Sequence, residues 1–553
     1  MKKLLSVLLT LCMLLVIVAA CDSTDKPSTD DSNTTPPAGA TTPGTVAPEQ
    51  PVAPIITDTP EEGAKLAEHI SIMNDGVVTP VINAFNGAGS AAQSNWVYTM
   101  ITDRLVWYDE TINGGTYVPQ LATRWETSDN QTYTFYLRDD ATFHNGEHFT
   151  AADVKWTIEI SREFPGTQAG GAWGGVAQAN IINDYTIEIV LSKPSAGFIG
   201  LISNPYAGIY NAKAYAEQPD TWTWIGTGPY YVSSFSPDIR VDLTRFDDFW
   251  GGPAPTKSVS FGFVPEEAAR PIMLLDDSYQ FSLGILPDDL YQFDGNPDYQ
   301  QLARRLNSPI SLGFNVTDPQ GITSDLNFRM AVAYALNGLD VGLVGEGDRG
   351  CSEIQEGGNW GYATPYKRWD LPRIQQNLDT AKQYLDASSW NGEVVEIAAL
   401  PGGLARAAEM IQEQLRAIGL ETKVNVVEYP QLAELCQFGN NRSQMHVFPS
   451  MYDLDPFMAV MENYTTLAPA RNFTNYSNPE IEALLAQAEA ATDTEVQRGI
   501  FSQVQQIVEN DMPHFALFWK VFVDVARSNI GGFVMSNTSP NHNFRGIFML
   551  LDD

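Results

Sequence analysis

The stretch from residue 119 to 155 constrains the fold of this chain more than any other. Its segment 132–137 (TYTFYL) places a large apolar side chain at every second position, which predicts a strand with one buried face. Turn pairs flank the strand at 129–130 and 145–146, and residues 150–153 (TAAD) form a capping box that opens a helix. Packing alone explains the alternation, so we expect the aromatic side chains of the strand in a core rather than at a site.

The same stretch resembles the signature segment of the extracytoplasmic solute-binding proteins of peptide-type ABC importers, the oligopeptide- and dipeptide-binding family (solute-binding family 5). The residues that fit the family pattern are Pro119, Leu121, Ala122, Trp125, Glu126, Tyr133, Phe135, Leu137, Arg138, Phe143, His144, Gly146, Thr150, Ala151, Asp153 and Val154. Two further elements resemble the family, namely Gly-Thr-Gly-Pro-Tyr at 226–230 and Leu-Gly-Phe-Asn at 312–315.

This resemblance implies an α/β, two-lobed periplasmic-binding-protein-like fold (type II, cluster C) with an extra subdomain in lobe I. Lobe I is expected over residues 66–308, with the inserted subdomain at about 105–200. Lobe II is expected over 309–515, and residues 516–553 return to lobe I. Two crossings would join the lobes around a deep cleft, and closure of the cleft would be a hinge motion.

The N-terminal end is expected to lie outside the fold. Two lysines precede an apolar run at 4–18, which is short for a bilayer span and typical of a secretory signal. The small residues before Cys21 resemble a bacterial lipobox, which implies that the signal peptide 1–20 is removed and Cys21 is acylated; an ordinary signal peptide or an uncleaved anchor is the alternative. Residues 21–65 are rich in Ser, Thr and Pro, so we expect a disordered tether.

Charge and cysteine usage exclude several classes of partner. The formal net charge of −35 argues against nucleic acid or anionic lipid as partners, and solubility is favoured over attraction of cationic ligands as its reason. Outside the signal and the lipobox only Cys351 and Cys436 remain, and the sequence leaves open whether they form a disulfide. The histidines and cysteines have no metal-ligand spacing, so neither a metal site nor a cofactor is expected.

The family places the partner of a peptide ammonium in a Trp-x-x-Asp-x-x-Asp-Pro loop of lobe II. The matching stretch here is 450–456 (SMYDLDP), which lacks the Trp and has Tyr452 three positions before Asp455. We therefore expect Tyr452 and Asp453 to bind the cargo, with Met451 as a wall of the site. A role in capping the loop is the alternative for Asp453.

Further candidates follow from the needs of a peptide cargo. A buried carboxylate requires a cation, which Arg406 or Arg442 could supply; a solvated surface position is the alternative for each. Asn315 at the crossing is a further candidate. Trp173, inside the glycine-rich run QAGGAWGGVAQ, is hard to explain as a core residue, so we expect it to project into the cleft, with a core position as the alternative.

The resemblance implies a lipid-anchored, extracytoplasmic substrate-binding component of an ABC transporter, held at the outer face of the bacterial cytoplasmic membrane. It would capture peptides, deliver them to the permease and ATPase subunits, act as a monomer and do no chemistry. One alternative keeps the fold and changes the cargo to an oligosaccharide, an opine-like solute or a chelated metal. A secreted hydrolase is the remote alternative, because no GxSxG or Ser-x-x-Lys motif stands in a fitting context.

Overall fold

The computed structural model describes a large part of the chain, with gaps. The described residues are 55–56, 59–74, 92–109, 111–112, 116–165, 167–237, 239–318, 321–338, 340–341, 347–348, 376–436, 443–449, 456–466, 472–536 and 542–551.

Lobe I contains most of the N-terminal elements and the end of the chain. Outside its subdomain these elements are β1 (Ile55–Ile56), β2 (His69–Asn74), α1 (Ala92–Ile101), α5 (Ala212–Glu217), β9 (Tyr230–Ser236), β10 (Arg240–Arg245), β11 (Ser258–Phe263), α6 (Arg270–Leu275), β12 (Phe281–Ile285), β19 (Ile530–Gly531), β20 (Phe533–Val534) and β21 (Phe548–Met549). Short 3-10 helices lie at Pro205–Ala207, Trp222–Trp224, Glu267–Ala269 and Pro287–Gln292.

The subdomain of lobe I is a separate four-stranded sheet covered by helices. Its elements are β5 (Ala122–Glu126), β6 (Thr132–Leu137), α2 (Ala151–Arg162), α3 (Gln168–Trp173), β7 (Val176–Asn183), β8 (Thr186–Leu191) and α4 (Phe198–Ser203). The hairpin of β3 (Val106–Asp109) and β4 (Thr116–Pro119) packs into the same core. The predicted strand and helix start are confirmed: β6 alternates between partly buried and buried side chains. Thr150 caps α2, with Asp153 Oδ2 accepting from the Thr150 backbone N–H at 2.9 Å.

Lobe II contains the remaining elements. They are α7 (Leu326–Ala335), β14 (Gly347–Asp348), α8 (Leu378–Asp386), β15 (Val395–Ala399), α9 (Gly403–Arg416), β16 (Thr422–Val426), α10 (Tyr429–Cys436), β17 (Met445–Pro449), α11 (Pro456–Tyr464), α12 (Pro479–Ala490) and α13 (Thr494–Asp511). In the sequence, an apolar strand at 394–400, an amphipathic helix pattern that stops at Gly419 and a strand at 422–427 predict a βαβ unit. This prediction is confirmed, because β15 and β16 pair in parallel on either side of α9. Gly419, at a φ of 87°, ends the turn after that helix, as its freedom from a Cβ allows.

Two long antiparallel strands, β13 (Tyr299–Phe314) and β18 (His514–Arg527), run through both lobes. They belong to one eleven-stranded sheet with the order β16-β15-β17-β13-β18-β12-β2-β11-β10-β9, and β14 pairs with β18. The register of the pair shifts between Arg305 and Pro309, where proline removes a ladder donor. The regular pairing of the two strands is therefore interrupted in this short segment.

A buried carboxylate joins the sheet of lobe I to the subdomain. Asp103 follows α1 and is fully buried. It accepts hydrogen bonds from Gln120 Nε2 at 2.8 Å, Thr227 Oγ1 at 2.9 Å, Trp250 Nε1 at 2.7 Å and Arg545 Nη2 at 2.5 Å. Residues from four separate parts of the chain thus converge on one side chain, which satisfies its charge away from water.

The Gly-Thr-Gly-Pro-Tyr element owes its glycines to close packing against α1. A Cβ at Gly226 would lie 2.0 Å from the carbonyl oxygen of Ile101, and one at Gly228 would lie 2.5 Å from that of Met100. Only glycine permits this approach, which carries Thr227 to Asp103. Its Gly-Pro pair predicts a sharp turn into a strand at 230–235, which is confirmed, because the element leads into β9.

The cysteines and the helix lengths relate to two further expectations from the sequence. Cys436 is buried and has no disulfide partner among the described residues, and burial raises the pKa of its thiol to about 12. Cys351, its candidate disulfide partner, lies outside those residues, so the disulfide stays a prediction. Across the described ranges, no helix is both long enough and apolar enough to cross a membrane.

Candidate binding cleft

The loop predicted to bind cargo connects β17 to α11, and the structure describes its two flanks. Met451, Tyr452 and Asp453 lie outside the described residues, as does Arg442. The strand β17 ends at Pro449 and pairs with β13 in the central sheet, while α11 begins at Pro456. Both flanks of the loop are therefore fixed by regular structure.

The C-terminal flank of that loop contacts lobe I. Phe457 is 4% exposed and packs edge-on against Phe501 of lobe II at 5.0 Å between ring centroids. It also touches the subdomain, since a Cβ built at Gly197 would lie 3.1 Å from the Cβ of Phe457. The loop of lobe II that is predicted to bind cargo (residues 450–456, the predicted cargo loop) thus ends where the two lobes meet.

Hydrogen bonds continue this contact, which we call the interlobe junction (residues 130 and 193–197 against 457 and 489–491). Asn130 donates from Nδ2 to the carbonyl oxygens of Ala491 at 2.8 Å and Glu489 at 3.3 Å. The backbone N–H of Ala196 donates to the Glu489 carbonyl at 3.2 Å. These carbonyls lie at the C-terminal end of α12, where helical donors are missing. Lobe I therefore caps a helix of lobe II.

The junction also contains one ion pair between the lobes. Lys193 Nζ lies 3.1 Å from Glu489 Oε2, with the lysine side chain 63% exposed. A pair this exposed contributes about 0–1 kcal/mol. The buried amide of Asn130, which is 7% exposed, is therefore the more specific of the two polar contacts. Its backbone has a φ of 53°, a left-handed conformation that asparagine tolerates.

The structure corrects the expectation that Trp173 projects into the cleft. Its side chain is fully buried in the core of the subdomain and packs edge-on against Phe198 at 6.2 Å. Gly170 in this run is required for close packing, because a Cβ there would lie 2.0 Å from the carbonyl oxygen of Phe164. The glycine-rich run therefore forms a short, tightly packed helix instead of an open loop.

The two other described candidates have different surroundings. Asn315 is 2% exposed, and its Oδ1 accepts from the backbone N–H and the hydroxyl of Thr317 at 3.1 and 3.0 Å. Its carbonyl group therefore holds the turn after β13, and contact with cargo stays a prediction. Arg406 lies on α9 with an exposed side chain, which agrees with the alternative of a solvated surface position. Its pairing with a cargo carboxylate stays a prediction.

The sequence analysis missed the residues of the junction. It treated Asn130 only as part of a turn, and it did not single out Lys193 or Glu489. The turn pair at 129–130 was a usable signal for a left-handed residue. Nothing local pointed to the end of α12, because the contact joins residues more than three hundred positions apart.

Two lobes on a shared sheet, joined by two strands and meeting at a separate junction, define a two-lobed α/β binding protein. A family profile described as "Bacterial extracellular solute-binding proteins, family 5 Middle" matches residues 116–478. The chain belongs to this family. The predicted family and fold class are thereby confirmed, and with them the prediction that the protein is a transport binding protein and not an enzyme. It is an extracytoplasmic substrate-binding component of a peptide-type ABC importer.

Individual relatives are distant but cover most of the chain. The dipeptide-binding protein of Escherichia coli K12 is 22% identical over 463 residues, 77% of this chain and 85% of that protein. The structure of DppA from Helicobacter pylori in complex with the peptide STSA is 20% identical, with a TM-score of 0.74 over 89% of this chain and 100% of that one. AgaA from A. tumefaciens R10, in complex with agropinic acid, is 20% identical with a TM-score of 0.71, covering 88% and 99%.

Proposed function

We propose that this protein captures peptides between its two lobes and delivers them to the permease of its importer, anchored to the membrane through a lipid on Cys21. The observation that carries the proposal is the interlobe junction, because it joins the flank of the cargo loop to the opposite lobe. Two strands that cross the lobes and a junction that can open and close are the parts a capture device needs.

Peptide chemistry explains what the cleft must supply. An extended peptide carries a donor and an acceptor per residue, and leaving them unpaired away from water costs a few kcal/mol each. Its ammonium requires a carboxylate and its carboxylate requires a cation. We assign Asp453 to the ammonium, Tyr452 and Met451 to the walls, and Arg406 or Arg442 to the carboxylate, with Asn315 near the crossing.

A non-peptide cargo is the second candidate, and the cargo loop favours it. This loop lacks the family's Trp and moves the first Asp by one position, so its contact with an α-ammonium would differ from that of peptide binders. A relative with the same fold is known in complex with agropinic acid. An opine-like solute would bind without depending on a terminal ammonium.

Replacing Asp453 by asparagine separates these two cargoes. If the carboxylate pairs with a peptide ammonium, Asp453→Asn weakens peptide binding by more than tenfold, about 1.4 kcal/mol or more, because the buried ammonium loses its counter-charge. Calorimetry with peptides identified by mass spectrometry of the purified protein measures the change. Asp455→Asn removes a neighbouring carboxylate of the same loop; it is the matched control and should bind as wild type, because the proposal assigns the ammonium to Asp453 alone. Equal affinity of Asp453→Asn and wild type would remove the assignment.

Replacing Asn130 by glycine tests the junction. Glycine adopts the positive φ of this position without strain, so the change removes only the amide that caps α12. A hydrogen bond contributes about 0.5–1.5 kcal/mol, and a closed state weakened by that amount binds cargo about 2- to 10-fold less tightly. Lys193→Met, which removes only the exposed ion pair, should have the smaller effect. Unchanged cargo affinity in Asn130→Gly would mean that the junction persists when the lobes open.

A further inference from the structure

A cavity of about 390 Å³ lies in lobe I, and its described lining contains no residue of lobe II. Phe249, Pro253, Ala254 and Phe533 give it apolar walls, and residues 59–60 form part of its rim. Small-molecule sites in proteins have volumes of about 300–1,000 Å³ and mostly apolar walls with a few polar groups. Lobe I therefore has room for a small ligand away from the interlobe junction.

The charge around this cavity is opposite to that of the chain. The protein has 67 acidic and 32 basic residues, yet the one charged side chain among the described lining residues is Arg545. A cavity that contains a cation and no carboxylate attracts an anion, and the effect is strong where apolar walls reduce the solvent around the charge.

Hydrogen bonds hold Arg545 in one orientation. Its Nε donates to the carbonyl oxygen of Thr99 at 2.6 Å, and its Nη2 donates to the carbonyl oxygen of Thr102 at 2.9 Å and to Asp103. Both carbonyls belong to the end of α1, so the guanidinium also caps that helix. Its side chain is 15% exposed, and Nη1 has no acceptor among the described residues. Nη1 is thus the nitrogen that a ligand can use.

A second guanidinium, that of Arg104, lies close to Arg545 but outside the described lining of the cavity. The guanidinium carbons of Arg104 and Arg545 lie 4.2 and 5.5 Å from the ring centroid of Trp107. Arg104 is 2% exposed, and its Nε and Nη2 have no acceptor in the part of the chain that the structure describes. Burial and repulsion from Arg545 lower the pKa of Arg104 to about 9, so it is still a cation at neutral pH. Two cations therefore lie near the carboxylate of Asp103, and of the two it is Arg545 that forms an ion pair with it.

We propose that this cavity binds a small amphipathic carboxylate, separately from the cargo of the interlobe cleft. The apolar part of the ligand packs against Phe249, Pro253 and Phe533. Its carboxylate accepts from Nη1 of Arg545, beside the amide of Asn543, which also lines the cavity. The bound anion balances the excess positive charge of the two arginines.

Octanoate and 1-octanol test the proposal without any mutation, because they share an apolar chain and differ in charge. Calorimetry with the purified protein should show octanoate binding at least tenfold more tightly than 1-octanol. Equal affinities, or no binding of octanoate, would overturn the proposal.

A filling substitution locates the site. Thr59 lines the rim and is exposed, so Thr59→Trp occupies the cavity while leaving the thermal midpoint of the protein unchanged. We expect Thr59→Trp to weaken octanoate binding at least tenfold and the matched control Thr59→Ala to bind as wild type. Octanoate binding that survives in Thr59→Trp would place the ligand elsewhere and refute the site.

The interlobe variant separates this site from the cleft. Asn130→Gly should bind octanoate as wild type does, since none of the junction residues lines the cavity. Loss of octanoate binding in that variant would show that the ligand occupies the cleft, and the proposal would be wrong. Octanoate binding in a protein that binds no peptide would leave this site intact and contradict only the proposed function.

Discussion

Replacing Asp103 by alanine should lower the free energy of unfolding by about 3–5 kcal/mol, because it breaks a buried ion pair by removing one partner. The carboxylate is fully buried and accepts from four side chains, one of them Arg545 at 2.5 Å. Without it, Arg104 and Arg545 remain as buried cations with no counter-charge, and the donors of Thr227 and Trp250 lose their acceptor. Denaturant unfolding of the purified variant measures the loss.

Asp140→Ala is the matched control for this experiment. Asp140 also pairs with an arginine, Arg138, at 2.6 Å, but its side chain is 59% exposed. An exposed pair contributes about 0–1 kcal/mol, so the control should be close to wild type in stability. If the two alanine variants were equally stable, the buried cluster around Asp103 would not hold lobe I to its subdomain.

Replacing Trp173 by alanine should also cost about 3–5 kcal/mol of unfolding free energy, since it leaves a large cavity in a packed core. The ring is fully buried among the apolar side chains of the subdomain, and its Nε1 has no acceptor within the described ranges, so packing accounts for its contribution. Because the ring faces the core, cargo affinity should be unchanged under conditions where the variant is folded. Denaturant unfolding and calorimetry together make the measurement.

Phe164→Ala provides the control for Trp173. Phe164 precedes the same short helix, but its side chain is 37% exposed, so its loss should cost about 1 kcal/mol or less. A Trp173→Ala variant that kept its stability and lost cargo affinity would restore the cleft position that the glycine-rich sequence first suggested.

Local pattern was sufficient for the elements whose stability is local. The alternation at 132–137 predicted β6 because one face of that strand is buried. The capping box predicted the start of α2, because the side chains of Thr150 and Asp153 accept hydrogen bonds from backbone N–H groups at the N-terminus of that helix. The βαβ unit of lobe II followed from an apolar strand, an amphipathic helix and a glycine stop in sequence.

Local sequence patterns could not predict contacts between residues that are far apart in the chain. The family-like element at 312–315 marked only the end of the first crossing, whereas β13 extends over sixteen residues and pairs with the fourteen residues of β18. Each continues as a strand because the other supplies its backbone partners through both lobes. The donors of Asp103 come from positions 120 to 545, and no local signal connects them.

In the candidate site, too, features that depend on local order along the chain were predicted, and features that depend on long-range contacts were not. Family resemblance located the cargo loop at 450–456, because a motif depends on order along the chain. It could not place Trp173, since glycines permit both an open loop and a close-packed helix, and only the contacts of Gly170 decide between them. The amide of Asn130 acquires its role from a helix end in the other lobe.

Small-angle scattering with and without cargo tests the central claim most directly. A peptide recovered from the purified protein is removed and then added back. The account predicts that the radius of gyration falls on addition, that Asn130→Gly needs more peptide for the same change, and that mass spectrometry recovers the peptide intact. A radius that never changes with any candidate solute, together with the appearance of a cleaved product, would contradict capture by closure.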